Sequence, residues 1–372
     1  MVMENLDNID ADRAYYLITM GEIAENDPDY EKVLSLASTD QGACGGLISN
    51  KIVPNNKIPI THPLYKKILF AAIQDTIAAY HLIADKIIDI NSPYYIDVFK
   101  SAVKFKDYAY TFLIYYIPNE KILATSDLYK QTVLTCIEQD PANAYSLLQR
   151  GIIKKTSPLY NKVLSVAIED AESAYDLIYA DSNHDNIDEL YIDRNSPLYN
   201  QAIVNMIKGP QQSYMALIDG IINIDDNLYI EAINNASNIP AQSWDLIADK
   251  WVPNHKVSIE SELYDKIFTS AIKEGAATSY RLIYDDVIDF NSKFYDRTIK
   301  SIMSSLYYIY LLIKNQKINP SYKLYPRLVL DAYNYMKKKE NNNTSVIYQA
   351  VKLDYIDPKD ENEYIEMIRS MF

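Results

Sequence analysis

Residues 195–200 read NSPLYN, and residues 156–161 read TSPLYN. Weaker copies are NSPYYI at 91–96, THPLYK at 61–66 and TSDLYK at 125–130. A phrase that returns at this interval points to a repeat architecture. Its chemistry says where each copy begins. Ser92, Ser126, Ser157, Ser196, Ser261 and Ser292, with Asp27 and Asp226, stand three residues before a tyrosine. Their side-chain oxygens suit an N-cap, where they accept an orphan backbone N–H. Pro28, Pro63, Pro93, Pro158 and Pro197 stand at the next position, the first of a helix, where a missing N–H costs nothing. The phrase therefore predicts a helix start: cap, proline, apolar residue, tyrosine.

The anchor tyrosines are Tyr30, Tyr65, Tyr95, Tyr129, Tyr160, Tyr199, Tyr229, Tyr264, Tyr295 and Tyr325, spaced 30 to 39 residues apart. Apolar residues follow at +4, +7 and +8, the spacing of one helix face, as in Leu164, Ala167 and Ile168. The +7 residue is usually small (Ala37, Ala72, Ala102, Cys136, Ala167, Ala236, Ala271), which predicts close helix–helix approach. A second aromatic follows most anchors by 15 or 16 residues and opens a phrase such as AYHLI or SWDLI. Asp75, Asp140 and Asp170 cap this second helix in the prediction, and Pro141, Pro210 and Pro240 open it. Gly21, Gly151 and Gly220 suit left-handed residues closing it. Each unit thus reads as a helix–turn–helix. The fold class is all-α, an α-solenoid of about ten stacked repeats. Residues 1–26 form an N-terminal capping half-repeat with a lone helix near 10–20, residues 27–322 the array, and residues 323–372 an atypical repeat and cap. The last helix, near 361–372, carries Ile365, Met367, Ile368 and Phe372.

Connections between units alternate short and long, so the true repeat is expected to be a pair of about 65 residues. Three long ones share a phrase: KIVPNNKIPI (51–60), YIPNEKILA (116–124) and KWVPNHKVSI (250–259). Proline and asparagine favour turns and the flanks alternate, which predicts small β-fingers on one side of the stack. Asn55, Lys57, Asn119, Lys121, Asn254 and Lys256 are the candidate partner-binding residues there. The same pattern also fits a turn with its lysine in water.

The 372 residues carry 36 Lys+Arg against 50 Asp+Glu, a net charge of −14, which disfavours nucleic acid and permits a basic protein partner. Two cysteines, Cys44 and Cys136, give no disulfide framework and suit a reducing, cytoplasmic compartment. The acidic start MVMENLDNID is unlike a signal peptide, and the apolar run near 306–313 is too short to span a bilayer, so no membrane partner is expected. No Gly-rich phosphate loop is present, and His62, His81, His184 and His255 lie in separate units without metal spacing. GACGG at 42–46 reads as a weakened second helix. In DSNHDNIDELYI (181–192), Asp181, Asn183 and Asp185 fit calcium-loop positions, but Asn186 and Ile192 break the pattern, leaving an acidic loop. The 34 tyrosines at helical spacing read as packing, rings inside and hydroxyls at the rim. No cofactor, metal or catalytic residue is expected.

Ser-Pro-Leu-Tyr, followed by Leu-Ile-x-x-Gly-Ile-Ile-x-x-Asp at 217–226, resembles the ankyrin repeat. By that likeness Ser157, Pro158, Leu159 and Tyr160 match the helix start, and Gly151 and Gly220 the closing glycine. The match covers about residues 10–335. It departs where tyrosine replaces the family's histidine, where the inter-helix glycine is missing, and where short connections leave no room for a finger. Either the array is a divergent ankyrin relative or unrelated hairpins share one capping solution. Such arrays in AT-rich chains resemble those of large DNA viruses and some intracellular microbes. The resemblance implies protein binding and no catalysis. The expected function is a protein–protein scaffold using its concave face or fingers. The alternatives are an acidic decoy for a basic surface and a self-associating structural component.

Overall fold

The computed structural model describes residues 9–179, 192–339 and 343–353. Among them every regular element is an α-helix, twenty-one in all. They divide into two compact units, the first ending at Ser173 and the second starting at Ala174. The first unit contains α1 (Ala11–Thr19), α2 (Tyr30–Ala37), α3 (Gln41–Ser49), α4 (Pro63–Ala72), α5 (Thr76–Ala84), α6 (Tyr95–Ala102), α7 (Lys106–Tyr115), α8 (Asp127–Cys136), α9 (Pro141–Gln149) and α10 (Tyr160–Ala167). The division falls within α11 (Ala171–Ile178). The second unit continues with α12 (Pro197–Met206), α13 (Pro210–Ile218), α14 (Tyr229–Ala236), α15 (Pro240–Ala248), α16 (Glu262–Lys273), α17 (Ala276–Tyr284), α18 (Tyr295–Ile302), α19 (Leu306–Lys314), α20 (Tyr325–Lys338) and α21 (Thr344–Lys352). Each unit is a stack of helical hairpins. The expected helix near 361–372 lies outside the described residues.

The repeated phrase starts helices in two ways. After long connections, α4, α8, α12 and α16 begin directly behind their caps. Ser126 accepts from the Tyr129 N–H at 3.2 Å and Ser261 from Tyr264 at 3.1 Å. His62 serves the same purpose, its Nδ1 accepting from the Leu64 N–H at 3.1 Å. After short connections the helix proper begins later, at the tyrosine itself (Tyr30, Tyr95, Tyr160, Tyr229, Tyr295). There the cap and proline close a tight turn, with the Tyr95 N–H donating to the Ser92 carbonyl at 3.2 Å and Tyr160 to Ser157 at 3.0 Å. TSPLYN and NSPLYN, almost identical in sequence, fall on opposite sides of this division. Asp75, Asp140 and Asp170 cap second helices as predicted, accepting from the N–H groups of Ile77, Asn143 and Ser173.

Most second helices end on a left-handed residue; α7, which closes on Tyr116 at φ −125°, is an exception. Gly21, Gly151 and Gly220 have φ of +73°, +66° and +68°. Lys51, Lys86, Lys250, Asp286 and Gln316 adopt the same conformation at the matching position without being glycine. The next apolar residue folds back onto the helix end: the Ile88 N–H reaches the Leu82 carbonyl at 2.7 Å, and Ile222 reaches Ala216 at 3.0 Å. This closes orphan carbonyls and buries the isoleucine.

The closest packing is between a second helix and the first helix of the following repeat, as in α1 with α2, α5 with α6, and α15 with α16. The cause is small residues on both partners. The +7 positions Ala37, Ala72, Ala102, Cys136, Ala167, Ala236 and Ala271 are all fully buried. So is the residue before the second aromatic in most repeats: Ala14, Ala79, Ala109, Ala144, Ala174, Ser213, Ser243 and Ser279, with Cys44 at the matching place before Gly45. Two of the serines cap the preceding helix, Ser213 Oγ donating to the Ile207 carbonyl at 2.6 Å and Ser243 Oγ to the Ser237 carbonyl at 2.9 Å, whereas Ser279 Oγ donates to Ser301 Oγ at 2.8 Å. Cys44 caps its preceding helix weakly, its Sγ lying 3.5 Å from the Ser38 carbonyl. All anchor tyrosines except the half-buried Tyr160 and Tyr199 are core residues.

Candidate functional site

The connections lie at one end of the helices of each stack and carry the candidate residues. In all three Pro-Asn-x-Lys segments the proline follows a cis peptide bond: Val53–Pro54, Ile117–Pro118 and Val252–Pro253. The N–H groups of Asn55, Asn119 and Asn254 donate to the carbonyls of Ile58, Ile122 and Val257, each at 3.0 Å. In return the asparagine Oδ1 accepts from the N–H of those residues at 2.7, 2.8 and 2.8 Å. This corrects the expectation of β-fingers. No described residue is in a strand, because a side chain closes the loop where a ladder would need a second backbone pair.

The asparagine amides reach further. Nδ2 donates to the carbonyls of Ile52, Tyr116 and Trp251 at 3.0, 3.1 and 2.6 Å. It also donates to the hydroxyls of Tyr30, Tyr95 and Tyr229 at 2.8, 3.2 and 2.8 Å. Each finger is thereby tied to the first helix of its own repeat. The lysines make a second tie. Nζ of Lys57, Lys121 and Lys256 donates to the carbonyls of Asp27, Ser92 and Asp226 at 2.5, 3.1 and 3.3 Å. Lys57 and Lys121 also lie over the Tyr30 and Tyr95 rings, 5.6 and 5.9 Å from their centroids. Burial raises the three tyrosine hydroxyls, and the asparagine bond partly offsets it. The six candidate residues therefore form the frame of the fingers. Their exposed tips are Pro54 with Asn56, Pro118 with Glu120, and Pro253 with His255. The sequence carried a signal for the frame in the tyrosine-to-asparagine spacing (30 to 55, 95 to 119, 229 to 254).

Anchor tyrosines that follow long connections behave differently. Tyr65, Tyr129 and Tyr264 are at most 4 % exposed, and their hydroxyls find no hydrogen-bond partner among the described residues. Burial pushes Tyr65 and Tyr264 up to about 12. In the second unit Tyr264 lines a cleft of about 580 Å³ between the third finger and the connection at 285–293. Ile247, Val252, Ile259 and Ile288 form its apolar walls, and Glu260, Asp285, Asp286, Asp289, Lys250 and Lys293 its charged lining. Lys293 Nζ pairs with Glu260 at 2.6 Å, and Lys317 with Asp286 at 2.8 Å.

The remaining candidates fall elsewhere. Cys44 and Cys136 are buried, and burial pushes their thiols up to about 11 and about 12, so neither is poised as a nucleophile. His81 lies 3.5 Å from Asp85 and His255 3.8 Å from Asp225, both at the surface. His184 and the segment 181–191 lie outside the described residues. Among the described residues no group of three or more His, Cys, Asp or Glu is placed to hold a metal ion, and no helix is long and apolar enough to cross a membrane. GACGG forms α3, with Gly46 against the ring of Tyr15. No family model matches the chain, and no curated protein or solved structure matches it.

Proposed function

We propose that the chain is a non-enzymatic scaffold that holds a protein partner along the connection edge of its hairpin stacks. The supporting observation is a constant frame with a changing tip. Three fingers share one cis-proline, asparagine and lysine arrangement, while the residue between asparagine and lysine changes from Asn56 to Glu120 to His255. Short connections join the same helix ends in about half the length, so folding alone does not require the longer fingers. Loops on a rigid scaffold are common sites of recognition. Divergent ankyrin kinship belongs to the same reading. The cap-proline-leucine-tyrosine start and the left-handed glycines support it, and the side-chain-closed finger is the departure. An intracellular, reducing setting is also part of it, supported by two buried free thiols.

The test is affinity capture from source cells, followed by reconstitution with the purified partner. Replacing Asn56, Glu120 and His255 together by alanine is expected to weaken binding about tenfold or more. Alanine at Gln74, Glu138 and Asn238, in the turns at the opposite helix ends, is expected to leave it unchanged. Equal effects of both sets would contradict the proposal. Light scattering is expected to give a mass independent of concentration; growth of mass would favour self-association instead.

A further inference from the structure

We draw no further inference here: the strongest candidate, the open place over Gly45 in α3, where most other second helices carry a tyrosine or tryptophan and an added Cβ would meet only the Ala78 Cβ, at 3.9 Å, is a stripe of small residues at which nothing in the structure shows what covers it.

Discussion

Asn254 Nδ2 lies 2.8 Å from the hydroxyl oxygen of Tyr229, twenty-five positions earlier, and Asn55 stands in the same relation to Tyr30 at the same distance. The bond fastens a surface loop to a core ring. Removing either partner strips a hydrogen bond from a partly buried group that then keeps only the Trp251 carbonyl, and removing Asn254 also frees the Lys256 and Val257 N–H groups. Asn254→Ala or Tyr229→Phe should therefore lower stability by about 1–3 kcal/mol, and the double variant should cost less than the sum. Tyr65→Phe and Tyr264→Phe should be nearly neutral, because their hydroxyls have no such partner. Urea midpoints for the five proteins check the contrast.

The left-handed closing positions give a prediction of opposite sign at matching places. A Cβ at Gly151 or Gly220 would meet nothing within 4 Å, so the cost of alanine there is conformational alone, about 1 kcal/mol. Lys51, Lys86 and Gln316 already bear that cost at φ of +57°, +56° and +55°. Lys86→Gly and Gln316→Gly should raise stability by a few tenths to about 1 kcal/mol, despite the greater freedom of glycine in the unfolded chain. Thermal unfolding of the paired variants would show the two signs.

Gly46 is coupled to a neighbouring side chain. A Cβ there would fall 2.9 Å from Cζ of Tyr15 and closer still to its hydroxyl. Gly46→Ala must push the half-buried Tyr15 ring aside, which offsets the roughly 1 kcal/mol that alanine gains over glycine inside a helix, and in a Tyr15→Ala background the same substitution should stabilise by about that amount. A double-mutant cycle in urea measures the coupling.

Alkaline pH should unfold the chain. The unfolded tyrosines and thiols release protons near their ordinary 10.0 and 9.0, whereas burial holds Tyr65 and Tyr264 up to about 12, and Cys44 and Cys136 up to about 11 and about 12. The folded state thus binds more protons as pH rises. Its stability is whole below about pH 9 and falls through the window to about 12, by roughly 1.4 kcal/mol per unit for each such group. The last part of the tyrosinate absorbance, that of the buried rings, should appear together with loss of helical ellipticity. A complete rise, accounting for all 34 tyrosines near pH 10 with the helix intact, would contradict it.

The helices were legible in the sequence because their signals are local. Ser126, Asp140 and Gly151 each act within a few residues, and each does what its chemistry dictates. The fingers were legible as loops but not as structures. Their closure depends on Asn55 meeting Tyr30 across the fold, and the turn residues alone suggested a β-hairpin. The two behaviours of TSPLYN and NSPLYN were hidden for a related reason: the length of the preceding connection, outside the phrase, decides where the helix begins. The frame role of Lys57, Lys121 and Lys256 follows from the carbonyls they meet at the start of another helix, which no local pattern discloses.

The most direct measurement of the central claim is site-specific photocrosslinking in source cells. A photoreactive residue is placed in turn at Asn56, Glu120 and His255, and in separate chains at Gln74, Glu138 and Asn238. The account predicts that the three fingertip positions capture one and the same protein and that the three opposite-end positions do not. Capture of that protein equally from both ends, or of different proteins at each fingertip, would contradict it.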